Sequence, residues 1–537
     1  MATSDDPDLF RLQRFLCFGQ ENGIYNSNSP HSTFLLTDVN CIERLLLNGR
    51  GNDILQCIKD VSCGNKACRQ TPVLYAFAFC TKFGDREMKK KAYEMLRDIC
   101  RVPTHLFQFV KFSKDLSTKR EGKTGWGRCH RVGIGRWYNS FANNARQLAY
   151  HVTKYRKRHS WSHRDVIRLA HVKPQNEKIR TILKYVLGKD REEIVALHDS
   201  VDKELKEVQT LLRAVSDAKH CTDKFRLCEL IADHELSREH VPIELLKEKE
   251  VWTVLIRTMP LMAMLRNLGK MTKLGIFDDE NASFFVELVE KKLSKEGLQK
   301  ARVHPLALLS ALNQYSKGKG HQGKLTWKQN GDIIKILDKA FYESIQLLPV
   351  SGKRYLLAVS VSDEMHKPLI GSPLSASEAA AAMVLSIIKQ EPQVKTLLFT
   401  HSGHSFVSNI DKYDNMNSIK GKIQSITERS SNETLNSWVK EHENKYDVFI
   451  VFTDSLAYEG SRVLEMFDSV TPCIGAVNHK RIIVAMTSKR NEVPEPRDTN
   501  TLHVIGFDPM TPKIIRTFID QFESPDYESM EGVQQYC

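Results

Sequence analysis

The amino-acid sequence predicts a multidomain protein: an all-α array of helices over residues 36–350, then an α/β, doubly wound domain over residues 351–522. Three observations carry this. From about residue 36 to 345, apolar residues recur at spacings of three and four, in segments of ordinary helix length. Near residue 350 the pattern changes to short runs rich in Val, Ile and Phe, alternating with helical segments. Charge divides at the same point. The 537 residues carry a net charge of +13, yet residues 351–537 hold 19 Lys and Arg against 24 Asp and Glu, and residues 1–350 hold 59 against 41.

In chain order, residues 1–35 read as a polar N-terminal arm, tied down in part by Phe10, Phe15, Leu16 and Phe18. Helices are expected over 38–47, 53–61, 72–82, 85–99 and 103–114. Prolines 72, 103, 174, 242, 260 and 305 stand near first turns, where a missing N–H costs nothing. Helices of this length joined by short turns over some 300 residues predict a solenoid of antiparallel pairs, with a large multi-helix bundle as the competing arrangement. In the second domain, strands are expected over 354–362, 395–400, 446–454, 481–487 and 502–507. Helices over 376–389, 418–427, 434–444, 462–470 and 512–522 lie between and after them. Strand alternating with helix means a mostly parallel sheet covered on both faces, with ligands bound at the carboxyl ends of its strands. Ser360, Ser362, Thr453 and Asp454 stand at those ends, and their hard oxygens would suit magnesium. Residues 523–537 form an acidic tail, expected to be disordered.

The working surface is expected between Ala145 and Lys173. There Arg146, Lys154, Arg156, Lys157, Arg158, Arg164, Arg168 and Lys173 surround a single acid, Asp165, with histidines at 151, 159, 163 and 171. Ala145, Leu148, Ala149, Val152 and Tyr155 make one apolar helix face, which leaves His151, Lys154 and Arg158 toward water. Ser162 and Asp165 have the spacing of a capping box that opens a second helix. In that helix Val166, Leu169 and Ala170 turn inward, and Arg164, Arg168 and His171 turn outward. A charge run is ordinarily a solvated helix face, but exposed helices usually mix both signs. The scarcity of acids here points instead to a phosphate backbone. Upstream, the run from Lys119 to Trp137 interleaves glycines with Lys123, Arg128, His130, Arg131, Arg136, Trp126 and Trp137. It reads equally as a single-strand site of cations and stacking rings and as a glycine-rich connection anchored by one Trp.

Other chemistries find less support. Gly318, Gly320 and Gly323 spell a GxGxxG, but a helix precedes it and no helix follows, so a dinucleotide fold is rejected. No CxxC pair occurs among the twelve cysteines, which read as reduced thiols of a cytosolic or nuclear protein. The first residues, MATSDDPDLF, lack the basic and apolar regions of a signal peptide, so none is expected, and no apolar run reaches membrane-span length. His401 and His404 are the nearest candidates for catalysis, and neither has a nameable partner, so no enzyme is expected.

The segments RVPTHLFQFVKFSKDL (101–116), WSHRDVIRLAHVKP (161–174), MPLMAMLRNLGKMT (259–272), ARVHP (301–305) and GKRYLLA (352–358) carry a resemblance. With them the chain resembles the Ro ribonucleoprotein autoantigen family (SS-A/Ro, the TROVE-module family) over nearly its whole length. The resemblance implies a ring of HEAT-like repeats closed by a von Willebrand factor A domain. It implies small cytoplasmic Y RNAs bound on the ring's outer surface, at Lys154, Arg158 and His171, and single-stranded ends of misfolded noncoding RNAs in its hole. Arg164, Arg168, Lys157, Arg128, Arg131 and Arg136 complete the expected RNA-binding set, on a chain expected to be a cytoplasmic monomer with a possible nuclear pool. The A-domain motif Asp-x-Ser-x-Ser departs here: with Ala358 at the carboxylate position, and Ser430-Ser431 where Thr and Asp are expected, only Ser360, Ser362 and Asp454 keep their types. A vestigial magnesium site is the expectation. The altered, slightly acidic second domain leaves an alternative function open, that of a scaffold for protein partners.

Overall fold

The structure, a computed structural model, describes residues 6–28, 33–64, 66–121, 125–188, 202–278, 282–321, 323–400, 405–424, 435, 441–442, 445–454, 479–488 and 499–521. Among these, twenty-two helices and nine strands build the two predicted architectures. The strands are β1 (Ile24–Asn26), β2 (Lys157–Arg158), β3 (Trp161–Ser162), β4 (Arg354–Ser360), β5 (Gln393–Phe399), β6 (Ser405–Val407), β7 (Val448–Thr453), β8 (Lys480–Ala485) and β9 (Thr501–Ile505).

The expected helices form with small adjustments. Pro103–Glu121 runs longer than its apolar periodicity, and the segment 85–99 is two helices, Arg86–Glu94 and Leu96–Ile99. Helices pack on partners near in sequence, often two or three helices further on. Gln70–Phe83 lies on Pro103–Glu121, Arg86–Glu94 on Arg128–Asn139, Ala145–Lys154 on Lys203–His220, and Pro305–Ser316 on Gly331–Gln346. All five strands expected in the second domain are present, in the order β1-β9-β8-β7-β4-β5-β6. Along β4, Tyr355, Leu357 and Val359 join the main core, while Leu356 and Ala358 join a second cluster with Leu397, Phe399, Phe449 and Val451. Both faces are therefore buried, as continuous apolar strands require.

Two strands of this sheet escaped the sequence. β6 is a short antiparallel edge beside β5. β1 comes from the expected N-terminal arm and adds to β9 in parallel, Ile24 opposite His503 and Asn26 opposite Ile505. The arm is accordingly not loose. Asp6 caps the helix Pro7–Phe18, accepting from Asp8 N, and Leu12, Phe15, Leu16 and Phe18 are buried. That helix packs on Thr511–Gln521, with Phe18 and Phe518 centroids 6.3 Å apart. At its other end the array, through Pro305–Ser316 and Gly331–Gln346, packs on Ala376–Gln390. Both ends of the helical array thus meet the α/β domain, and the chain closes on itself. His401, His404 and the acidic tail lie outside the described residues.

Candidate nucleic-acid interface

Local structure between Ala145 and His171 differs from the two helices expected. Asn144 caps Ala145–Lys154, but the helix ends at Lys154, and Tyr155 leaves it. Lys157 and Arg158 instead form β2, pairing antiparallel with Ser162 and Trp161. Arg158 therefore stands on a hairpin rather than a helix face. The two turn residues, His159 and Ser160, both have positive φ, 52° and 66°, the backbone of a type I′ turn. Trp161 anchors the hairpin, with its ring 5.7 Å from that of Trp126 and the Lys114 ammonium 5.7 Å above it. The second helix, His163–Ala170, opens on the expected capping box and ends at His171 in left-handed conformation. Leu169 is 44% exposed, contrary to expectation, and Ile167 takes its inward place.

Arg156, Lys157, Arg158, Arg164, Arg168, His171 and Lys173 are all exposed, and Lys154 is half-buried. Among the described residues none of them has a carboxylate at ion-pair distance. The one acid within the segment is already engaged, since Asp165 accepts from Ser162 N at 3.1 Å, and Glu239 acts on Lys154 only from beyond ion-pair distance. Elsewhere on the array some cations are neutralised, as Lys178 is by Glu204 and Lys224 by Glu250. The hairpin and its flanking helix therefore keep their charge.

The glycine-rich run is a second correction, because Arg128–Asn139 is helical. Gly133 is there for packing: a Cβ would stand 2.2 Å from Cδ1 of Tyr93. Trp137 is buried, donating through Nε1 to Cys100 O at 2.6 Å, so it offers no ring for stacking. Arg128 and Arg136 are exposed and Arg131 half-buried, on a helix that packs beside His163–Ala170. Lys123 lies outside the described residues.

The histidines mostly turn inward. His163 is buried with Nδ1 2.8 Å from Tyr138 Oη, and His130 is buried with Nδ1 2.9 Å from Tyr93 Oη. Burial pushes both down to about 3. His151, expected to face water, is half-buried edge-on to Phe141, and burial followed by the charges of Arg97 and Lys154 lowers it to about 4. Residues remote in sequence complete the site's interior. His240 Nε2 lies 3.2 Å from Thr153 Oγ1, and its ring meets Tyr150 edge-on at 5.6 Å. No local pattern announces a partner 87 positions away.

At the sheet's carboxyl edge, β4 and β7 are neighbours, which brings Ser360, Ser362 and Asp454 to one side. Ser362 N donates to Ser360 Oγ at 3.3 Å, Thr453 Oγ1 lies 3.2 Å from Asp454 Oδ1, and the buried Ser362 Oγ has no partner. The register of the motif needs correcting. Ala358 lies inside β4, 1% exposed among apolar side chains, and Ser360 is the strand's last residue, at its carboxyl end. Ser360 therefore occupies the carboxylate's position. The following Glu364 is engaged by Lys367. Two hydroxyls and one buried carboxylate fit a magnesium ion poorly, and the described residues contain no group of three His, Cys, Asp or Glu side chains suited to a metal. Ser430 and Ser431 lie outside the described residues.

A helical array that closes on a doubly wound domain and carries a cationic surface without carboxylate partners among the described residues is a scaffold suited to an anionic ligand. The chain belongs to the TROVE-domain family: residues 8–314 match the TROVE domain, and residues 354–519 match the Ro60 vWA domain. Among its relatives, "RNA-binding protein RO60" of Caenorhabditis elegans is 29% identical over 581 aligned residues, covering 95% of this chain and 88% of the relative. The protein of the same name from Deinococcus radiodurans is 27% identical over 520, covering 95% and 92%. The crystal structure of the Deinococcus radiodurans Ro (RSR) protein superposes with a TM-score of 0.81 at 27% identity, over 95% of this chain and 99% of that one. No helix among the described residues is long and apolar enough to cross a membrane.

Proposed function

We propose that this chain is an RNA-binding protein that holds small noncoding RNAs of the Y type on the outer surface of its helical ring. Lys154, Arg158 and His171 form the centre of that surface, and Lys157, Arg164, Arg168, Arg128, Arg131 and Arg136 extend it. Single-stranded ends of misfolded noncoding RNAs occupy the ring's cavity, and the chain serves RNA quality control as a ribonucleoprotein component. The observation that carries this reading is the hairpin and flanking helix whose cations lack carboxylate partners while Asp165 is spent on its own helix cap. Such a surface gains affinity by releasing counterions from phosphates. The naming of two relatives as RNA-binding proteins supports it.

The test is binding of a Y-type RNA by wild type and by K154A/R158A at several salt concentrations. Wild-type affinity should fall steeply with salt, and the double variant should bind at least about tenfold more weakly, with a slope shallower by about one for each phosphate contact removed. Equal affinity, or binding indifferent to salt, would remove the surface from consideration.

A further inference from the structure

Lys154 is the one member of the central cationic set that is half-buried, and its surroundings differ from those of four other half-buried lysines. Lys178, Lys224, Lys420 and Lys422 each rest on a carboxylate, which fixes the ammonium and cancels its charge. Lys154 rests on aromatic rings. Its Nζ lies 5.3 Å from the Tyr150 centroid, 5.6 Å from the Tyr155 centroid and 3.4 Å from Tyr150 Oη. A ring's quadrupole attracts a cation without carrying opposite net charge. Lys154 is thereby held in place with no carboxylate in contact, Glu239 acting on it only from beyond ion-pair distance.

The rings are themselves supported from behind. Tyr150 packs edge-on against His240, and Tyr155 against His151 at 6.1 Å. His240 accepts from Ser237 N through Nδ1 at 3.1 Å, so its Nε2 carries the proton and donates to Thr153 Oγ1, which in turn donates to Ala149 O at 2.8 Å. Burial, then the charge of Lys219, lowers His240 to about 4, and His151 is likewise held low. Both supports stay neutral near pH 7 and do not repel the ammonium.

We infer that Tyr150 and Tyr155 are positioning residues for RNA binding, forming a two-ring clamp that preorganises Lys154 for a phosphate. This rests on the outer-surface reading above. A lysine free in solvent loses side-chain entropy when it meets a phosphate, and the clamp removes much of that loss beforehand. Preorganisation without neutralisation is what a phosphate-binding lysine needs and what a carboxylate partner could not provide.

The experiment measures Y-type RNA binding by the full chain in six forms: wild type, K154A, K154A/R158A, Y150L/Y155L, Y150F/Y155F and K154A/Y150L/Y155L, with thermal melts to confirm folding. Y150L/Y155L should bind about three- to tenfold more weakly, the range expected for lost cation–π contacts. Y150F/Y155F keeps the rings and should stay within about twofold of wild type. With Lys154 already removed, the Leu pair should add no further loss beyond that of K154A. The inference is overturned if the Leu pair binds like wild type, if the Phe pair loses as much as the Leu pair, or if the Leu pair weakens binding equally without Lys154. A K154A/R158A variant that binds normally would instead overturn the surface itself, which keeps the two failures apart.

Discussion

His130 and His163 are held neutral by burial, each against a tyrosine hydroxyl, with pKa values lowered to about 3. Unfolded, each would take a proton near pH 6.5. Their folded pKa lies below the unfolded one, so the stability they contribute is whole above pH 6.5. It is lost as pH falls from there toward 3, by roughly 1.4 kcal/mol per pH unit for each residue. The melting temperature should therefore drop steeply between pH 6.5 and 4.5, and H163Q should flatten that drop while lowering stability at pH 7.5. A melting temperature independent of pH over this interval would contradict the burial argument. At this scale the sequence was legible for charge and much less so for histidine. Arg164, Arg168 and His171 stand outward as their spacing implied, whereas His151 and His163 are enclosed. Imidazole fits either setting, and only the neighbours supplied by distant helices decide between them.

Among elements, the helix Arg128–Asn139 shows most plainly how packing overrides local preference. Its Gly133 and Gly135 weaken a helix by propensity alone. The helix survives because Trp137, Tyr138 and Ile134 are buried and because Gly133 admits the ring of Tyr93 from Arg86–Glu94. G133A should force those helices apart at a cost of about 1–3 kcal/mol, by the overpacking rule, and show a lowered midpoint in urea unfolding. An unchanged midpoint would mean the Tyr93 ring yields freely. The hairpin of β2 and β3 was illegible for a related reason. Two residues with positive φ that are neither Gly nor Asn give no turn signal, and a strand of two residues has no periodicity. The capping box at Ser162 and Asp165 was legible because it is a local hydrogen-bond pattern, complete within four residues.

For the whole molecule, the decisive element is the N-terminal segment. It covers the β9 edge with β1, and it joins the domains by several hydrogen bonds. Tyr25 Oη donates to Asp508 Oδ2 at 2.8 Å, Arg69 engages the same carboxylate, and Asn28 Nδ2 donates to Ser488 O at 3.1 Å. Asp508 also uses Oδ1 to accept from Met510 N and Thr511 N, at 2.8 and 2.9 Å, at the start of the last helix. Deleting residues 1–28 should expose that sheet edge and uncouple the halves. Calorimetry should then record two transitions where the full chain gives one, with aggregation on heating. A single transition at the original temperature would show that the remaining contacts, those of Arg69 with Asp508 and of the far helices with Ala376–Gln390, suffice to couple them.

Taken by itself, the amino-acid sequence determined the two architectures, their boundary near residue 350 and the half that carries the positive charge. Hydrophobic period and charge are properties of consecutive residues, and they persist whatever the chain does at long range. Tertiary structure alone decided that the N-terminal arm completes a sheet nearly five hundred residues away. It also decided that Arg158 sits on a hairpin, that Ser360 rather than Ala358 stands where a metal ligand would be, and that Tyr150 and Tyr155 hold Lys154. Each of these depends on which side chains meet across the fold, and that is settled when burial and hydrogen bonding are satisfied for the whole chain together.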